Sequence, residues 1–180
     1  LPNLAVKVID PESGARLPAG QPGLLLVKGP SVMQGYLNDP AKTADVLREG
    51  WYNTGDIAHL DQDGFLFLTD RLTRFSKIGG EMVPHGAVEE ALQQASGTTE
   101  PCVAVVSEED ASKGEHLVVC FTPTAGSADR LHQALKQSGL PNLWIPSRAN
   151  FLAIPGIPVL GTGKTDLRAV RVFVQQSKCA

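Results

Sequence analysis

Leu4, Val6 and Val8 alternate with polar or small residues, which predicts a half-buried strand over residues 4–10. Pro11-Glu12-Ser13-Gly14 then reads as a turn. A short apolar run, Gly23 to Val27, predicts a second strand. Asp39-Pro40 is an N-cap followed by proline at the first helical position, so a short helix is expected to about Arg48. The runs Trp51–Leu60 and Phe65–Thr69 flank Asp61-Gln62-Asp63-Gly64, a hairpin signal.

Beyond residue 70 the pattern changes. Phe75 to Val83 reads as a hairpin turning at Gly79-Gly80, because two positive-φ positions suit glycines. Val88, Ala91, Leu92 and Ala95 recur at helical spacing and predict a helix over about 86–95 with one buried face. Cys102–Val106 and Leu117–Phe121 are continuous apolar runs, expected as strands covered on both faces. Glu108-Glu109-Asp110 between them is taken as a solvated loop. A helix from Ala128 to Gln137, a strand over 149–154 and a last helix over about 166–174, capped by Thr165, complete the pattern. Trp144 is expected in the core. The prediction is an α+β chain: a β-rich segment, 1–70, followed by an α+β segment, 71–180.

Composition narrows the class. Hydrophobic residues make up 42% and charged residues 19%, the balance of a globular protein. Residues 1–70 hold 5 Lys+Arg against 9 Asp+Glu, and residues 71–180 hold 11 against 10. No basic stripe is present, which argues against a nucleic-acid partner. Cys102, Cys120 and Cys179 are odd in number and without metal-ligand spacing, so they are read as reduced thiols of a cytoplasmic protein. The chain opens on Leu1-Pro2-Asn3 and is expected to be a piece of a longer protein.

Gly161-Thr162-Gly163-Lys164-Thr165 raises the question of a nucleotide phosphate loop. The spacing excludes it: the first glycine would fall at Pro158, which has no N–H to offer a phosphate. Lys164 is instead a single cation in a flexible loop, able to place a point charge on an anion. Asp56 follows a Thr-Gly turn and offers two acceptor oxygens suited to ribose hydroxyls, or it caps a turn. Arg71 could reach a ribose or phosphate, or pair with Asp70. Gly79 and Gly80 mark a hairpin alone or a place where a ligand passes close to the backbone. His85 and His116 are read as surface or capping residues without a catalytic role.

Taken in order, Gly-Tyr-Leu-Asn-Asp-Pro (35–40), Gly-Trp-Tyr-Asn-Thr-Gly-Asp (50–56), Asp-Arg (70–71), Lys-Ile-Gly-Gly (77–80) and Gly-Thr-Gly-Lys-Thr-Asp-Leu-Arg (161–168) resemble the ATP-dependent adenylate-forming synthetases. More narrowly, Ser76–Pro84 and Gly139–Pro146 resemble the acyl–acyl-carrier-protein synthetase portion of bifunctional 2-acylglycerophosphoethanolamine acyltransferases, which implies a role in phospholipid metabolism. Such enzymes join a carboxylate to AMP with ATP and Mg²⁺, then pass the acyl group to a thiol. The resemblance implies that 1–70 is the last β subdomain of a large N-terminal adenylation domain whose remainder is missing here. It implies that 71–180 is the small mobile C-terminal domain.

By the same resemblance Lys164 is catalytic in adenylation, Asp56 and Arg71 bind the nucleotide, and Asp70 and Thr73 lie at the hinge. Thr73 stands where the family usually has Asp or Lys, and Leu24 replaces a common Glu. Lys77, Gly79 and Gly80 would line the pantetheine tunnel after a domain rotation. A fatty acid and acyl carrier protein are the implied partners, with coenzyme A as the alternative acceptor. A non-catalytic carrier-docking module is the alternative class, although docking needs none of Asp56, Arg71 and Lys164. No phosphate loop or acyl pocket is recognisable in the 180 residues, so the chain alone is expected to be inactive. An upstream acyltransferase domain would bring the whole protein to the cytoplasmic face of the inner membrane.

Overall fold

A computed structural model describes residues 3–110, 112 and 114–177; Cys179 lies outside the described residues. The chain divides into two compact units, one ending at Thr73 and the other beginning at Arg74.

The first unit is built on an antiparallel sheet. It contains β1 (Ala5–Ile9), β2 (Gly23–Lys28), β3 (Leu47–Arg48), β4 (Trp51–Leu60) and β5 (Leu66–Arg71). Their order is β1-β2-β4-β3, with β5 also paired to β4. Val8, Leu25 and Ala58 form its small core, with Val6, Leu17, Val27 and Leu60 packed around them.

Helix α1 (Pro40–Val46) starts as predicted: the Asp39 carboxylate accepts from Lys42 N at 2.9 Å. It stops earlier than expected. Leu47 and Arg48 pair with Tyr52 and Trp51, and the turn between them holds Glu49 and Gly50 at φ +53° and +77°. Two successive positive-φ residues favour a tight hairpin over another helical turn.

The second unit follows the predicted α+β pattern. Its strands are β6 (Phe75–Ile78), β7 (Glu81–Pro84), β8 (Val103–Asp110), β9 (Gly114–Phe121) and β10 (Phe151–Ala153). β10 runs parallel to β9, while β8 pairs antiparallel with β9 from Val103↔Phe121 to Asp110↔Gly114. Glu108-Glu109-Asp110 is therefore strand rather than loop: the ladder runs on past the apolar run, opposite His116, Glu115 and Gly114.

Alternate residues of β8 and β9 face two cores. Val103, Val105, Leu117 and Val119 join Val88 and Leu92 of α2 (His85–Ser96) and Leu131 and Leu135 of α3 (Ala128–Gln137). Ala104, Val106, Val118 and Cys120 meet Val170 and Val174 of α4 (Leu167–Ser177). Helices thus cover both faces, which is why these strands read as unbroken apolar runs. Trp144 packs partly buried against the first core. Burial pushes the Cys120 thiol up to about 11. No described helix is long and apolar enough to cross a membrane.

Candidate functional site

In the first unit, β4 carries a bulge where the nucleotide residues were expected. Leu24 and Leu26 of β2 pair with Ile57 and Asn53, so two extra residues are accommodated on β4 around Thr54-Gly55-Asp56. The bulge is held by short bonds. Thr54 Oγ1 donates to Leu25 O at 3.0 Å, Asp56 N donates to Thr54 Oγ1 at 3.0 Å, and Gly55 N donates to Asn53 Oδ1 at 2.9 Å. Gly55 sits at φ +71°, a conformation that favours glycine.

Asp56 and Arg71 stand directly opposite each other on β4 and β5. Arg71 Nε lies 2.9 Å from Asp56 Oδ1, and Arg71 Nη1 donates to Thr54 O at 3.0 Å. The structure thus brings together two of the expected residues that the sequence left separate. Arg71 turns its side chain to Asp56, while Asp70 Oδ1 accepts from the Arg71 backbone N–H at 2.7 Å. The Arg71 side chain is 63% exposed and that of Asp56 27%, so both remain accessible to a ligand. Thr73 lies in a short 3₁₀ turn, Leu72–Arg74.

In the second unit, Gly79 and Gly80 form the predicted two-residue turn between β6 and β7, at φ +57° and +90°. A Cβ on Gly79 would come within 3.4 Å of Leu143 Cδ1. Beside this turn opens a cleft of about 380 Å³ whose walls include Ile78, His116, Asn142, Leu143 and Asn150. His116 Nδ1 is buried without a hydrogen-bond partner, and its ring lies 3.7 Å from Glu108 Oε2 and 3.8 Å from Asp110 Oδ2. His85, expected at the surface or a cap, is 1% exposed and lies 2.7 Å through Nε2 from Ser76 Oγ. A half-polar ring is buried there because a hydroxyl satisfies it.

Lys164 is exposed on a tight turn. Leu160 N donates to Lys164 O at 2.8 Å, Gly163 N donates to Leu160 O at 2.8 Å, and Val159 bridges Thr165. Asp166, not Thr165, caps α4: its Oδ1 accepts from Arg168 N at 3.0 Å and Ala169 N at 3.1 Å. A carboxylate at this position also meets the positive end of the helix dipole. Among the described residues no group of three or more His, Cys, Asp or Glu side chains is arranged to hold a metal ion.

Comparison with known proteins defines the class first. Residues 1–37 match the family described as AMP-binding enzyme. Over 175 residues the chain is 35% identical to 4-coumarate–CoA ligase of Vanilla planifolia, covering 93% of this chain and 31% of that protein. Among solved structures, ATP-bound MatB from Rhodopseudomonas palustris superposes with a TM-score of 0.76 at 26% identity, over 96% of this chain and 34% of that one. The o-succinylbenzoate–CoA synthetase MenE of Bacillus subtilis, complexed with its acyl-adenylate intermediate, gives 0.77 at 26% identity, over 95% and 34%. The fold is that of the adenylate-forming enzymes, and the chain spans about a third of the length of these relatives.

Proposed function

We propose that this chain is the C-terminal portion of an ATP-dependent ligase that activates a carboxylic acid as its acyl-adenylate and transfers the acyl group to coenzyme A. The observation that carries the reading is the similarity to ATP- and acyl-adenylate-bound ligases over at least 95% of the chain. The opposed Asp56–Arg71 pair and the exposed Lys164 turn supply chemistry that such a reaction uses.

In this reading Asp56 accepts hydrogen bonds from the ribose hydroxyls, and Arg71 holds its carboxylate in place. Attack of a carboxylate oxygen on the α-phosphate brings two anions together, breaks the α–β phosphoanhydride bond and releases pyrophosphate. Lys164 places a cation against the charge that builds on the phosphoryl oxygens, an interaction stronger in the transition state than before it. Mg²⁺ would enter with ATP; the described residues offer no ligand set for it, and no step above depends on it.

The Gly79-Gly80 turn and its neighbouring cleft give a thin thiol arm room beside backbone. Pivoting near Asp70–Thr73 would let one chain serve both half-reactions. The curated relative above is a coenzyme A ligase, which favours that acceptor over the acyl carrier protein inferred from residues 76–84 and 139–146. Both acceptors end in the same pantetheine thiol, so the turn itself accommodates either.

The test uses the complete protein with ATP, Mg²⁺ and a panel of fatty and aromatic acids, offering coenzyme A and holo-acyl carrier protein in parallel. Acyl mass gain on coenzyme A is expected. Gain on the carrier protein alone would replace the acceptor and keep the adenylation chemistry. Gain on neither, with no acyl-adenylate formed from any acid, would overturn the reading.

A further inference from the structure

The β6–β7 hairpin, which carries Lys77, Gly79 and Gly80, is joined to the rest of its sheet by little backbone pairing. Among the described residues β6 meets β9 at one register pair, Ile78↔Gly114. One residue further along, where Lys77 and Glu115 would continue the ladder, a side chain takes its place. Glu115 Oε2 accepts from the Lys77 backbone N–H at 2.7 Å. The other oxygen, Oε1, lies 3.4 Å from Ser76 Oγ, which is 2.7 Å from His85 Nε2.

With the Ser76 hydroxyl hydrogen directed at the carboxylate, its oxygen is left to accept from His85 Nε2–H. His85 is the first residue of α2. One carboxylate on β9 therefore ties the base of the hairpin to its sheet and to the start of a core helix. Ser76 and His85 are each 1% exposed, so this serine and histidine are closed to any substrate. The carboxylate meets the hydroxyl rather than orienting the imidazole, which is not the order that activates a nucleophile. The role left is mechanical. A charge-assisted bond to a backbone N–H is stronger than the ladder bond it replaces, and it fixes Lys77, two residues before the turn.

We infer that Glu115, acting with Ser76 and His85, is the positioning residue that sets the Lys77–Gly80 hairpin for thiol transfer. The inference rests on the reading that this hairpin lines the path of the thiol. Glu115 touches neither substrate nor nucleotide in this scheme. Its loss raises the KM for the thiol and leaves adenylation intact.

The experiment compares the complete wild-type protein with Glu115→Ala, Glu115→Gln and Ser76→Ala. Backbone hydrogen exchange over residues 75–84 is followed by mass spectrometry. ATP–pyrophosphate exchange and transfer from preformed acyl-adenylate to coenzyme A are measured beside it. Glu115→Ala is expected to speed exchange in that segment by about tenfold or more, the loss of one charged hydrogen bond. It should raise the KM for coenzyme A by a similar factor, with adenylation changed less than about twofold.

Glu115→Gln keeps an oxygen able to accept from Lys77 N–H and should recover most of both effects. Unchanged protection and KM in Glu115→Ala would overturn the inference, as would equal loss in both half-reactions. If Glu115→Ala does not fold, the other two variants decide: Ser76→Ala must loosen the segment and raise the KM more than Glu115→Gln does. A wild-type protein that makes neither acyl-adenylate nor thioester defeats the proposed function and the positioning role together. The exchange data then still report whether Glu115 holds the hairpin.

Discussion

Lys164 is exposed on a turn whose bonds are all backbone, and no described residue pairs with its ammonium. A cation held this way costs little to redirect, which suits the role proposed for it in adenylation alone. Lys164→Ala in the complete protein is expected to lower ATP–pyrophosphate exchange by about 10²- to 10³-fold, the usual loss when one transition-state charge contact is removed. Transfer from preformed acyl-adenylate should change by less than about threefold; equal losses in the two assays would remove Lys164 from the adenylation step. The sequence made Lys164, Asp56 and Arg71 visible as candidates but hid that the last two face each other. Counting outward from Leu60↔Leu66 would set Asp56 opposite Asp70, a like-charge pair. An irregularity between Ile57 and Ala58 shifts the register by one and brings Arg71 there instead. Like charges directly opposite are unfavourable, yet nothing in the local residue pattern announces the extra residue that avoids them.

The same limit holds for whole elements. The helix spacing of α2 and α3 and the unbroken apolar runs of β8 and β9 were legible, because burial on one or both faces writes a period into the chain. Ends were less so. Helix α1 gives way to β3 because Glu49-Gly50 turns the chain back onto Trp51, and β8 runs through three acidic residues because β9 is there to pair with them. Ser76 did carry a signal: it shares the inward side of β6 with Ile78, and a serine at such a position needs a partner. At the start of α4 the sequence pointed to Thr165, whereas the structure uses Asp166, one residue on. Asp166→Ala is accordingly expected to cost about 1 kcal/mol of stability, the typical worth of an N-cap side chain. Thr165→Ala should cost less than about half of that, well within the range of ordinary surface changes. Urea unfolding of the two variants decides between the residues.

Across the whole chain the two units are unequal in what they bury. Of the buried apolar residues described, five precede Arg74 (Val8, Leu24, Leu25, Ile57 and Ala58) and 22 follow it. The second unit has two cores, one on each face of β8–β9, closed by α2 and α3 on one side and α4 on the other. The first unit leaves Phe65, just before β5, and Leu66, Phe67 and Leu68 of β5 exposed, at 67%, 39%, 48% and 65%. A unit of this size is marginal even with a full core, and an apolar strand exposed at a sheet edge promotes association. Residues 74–180 expressed alone are therefore expected to fold and to unfold cooperatively in urea. Trp144 is the single tryptophan of that segment and packs against its core, so its fluorescence reports the transition. Residues 1–73 alone should show no cooperative transition and should associate. A gradual, non-cooperative loss of signal from 74–180 would mean that its two cores do not suffice, and that its stability depends on the chain before Arg74.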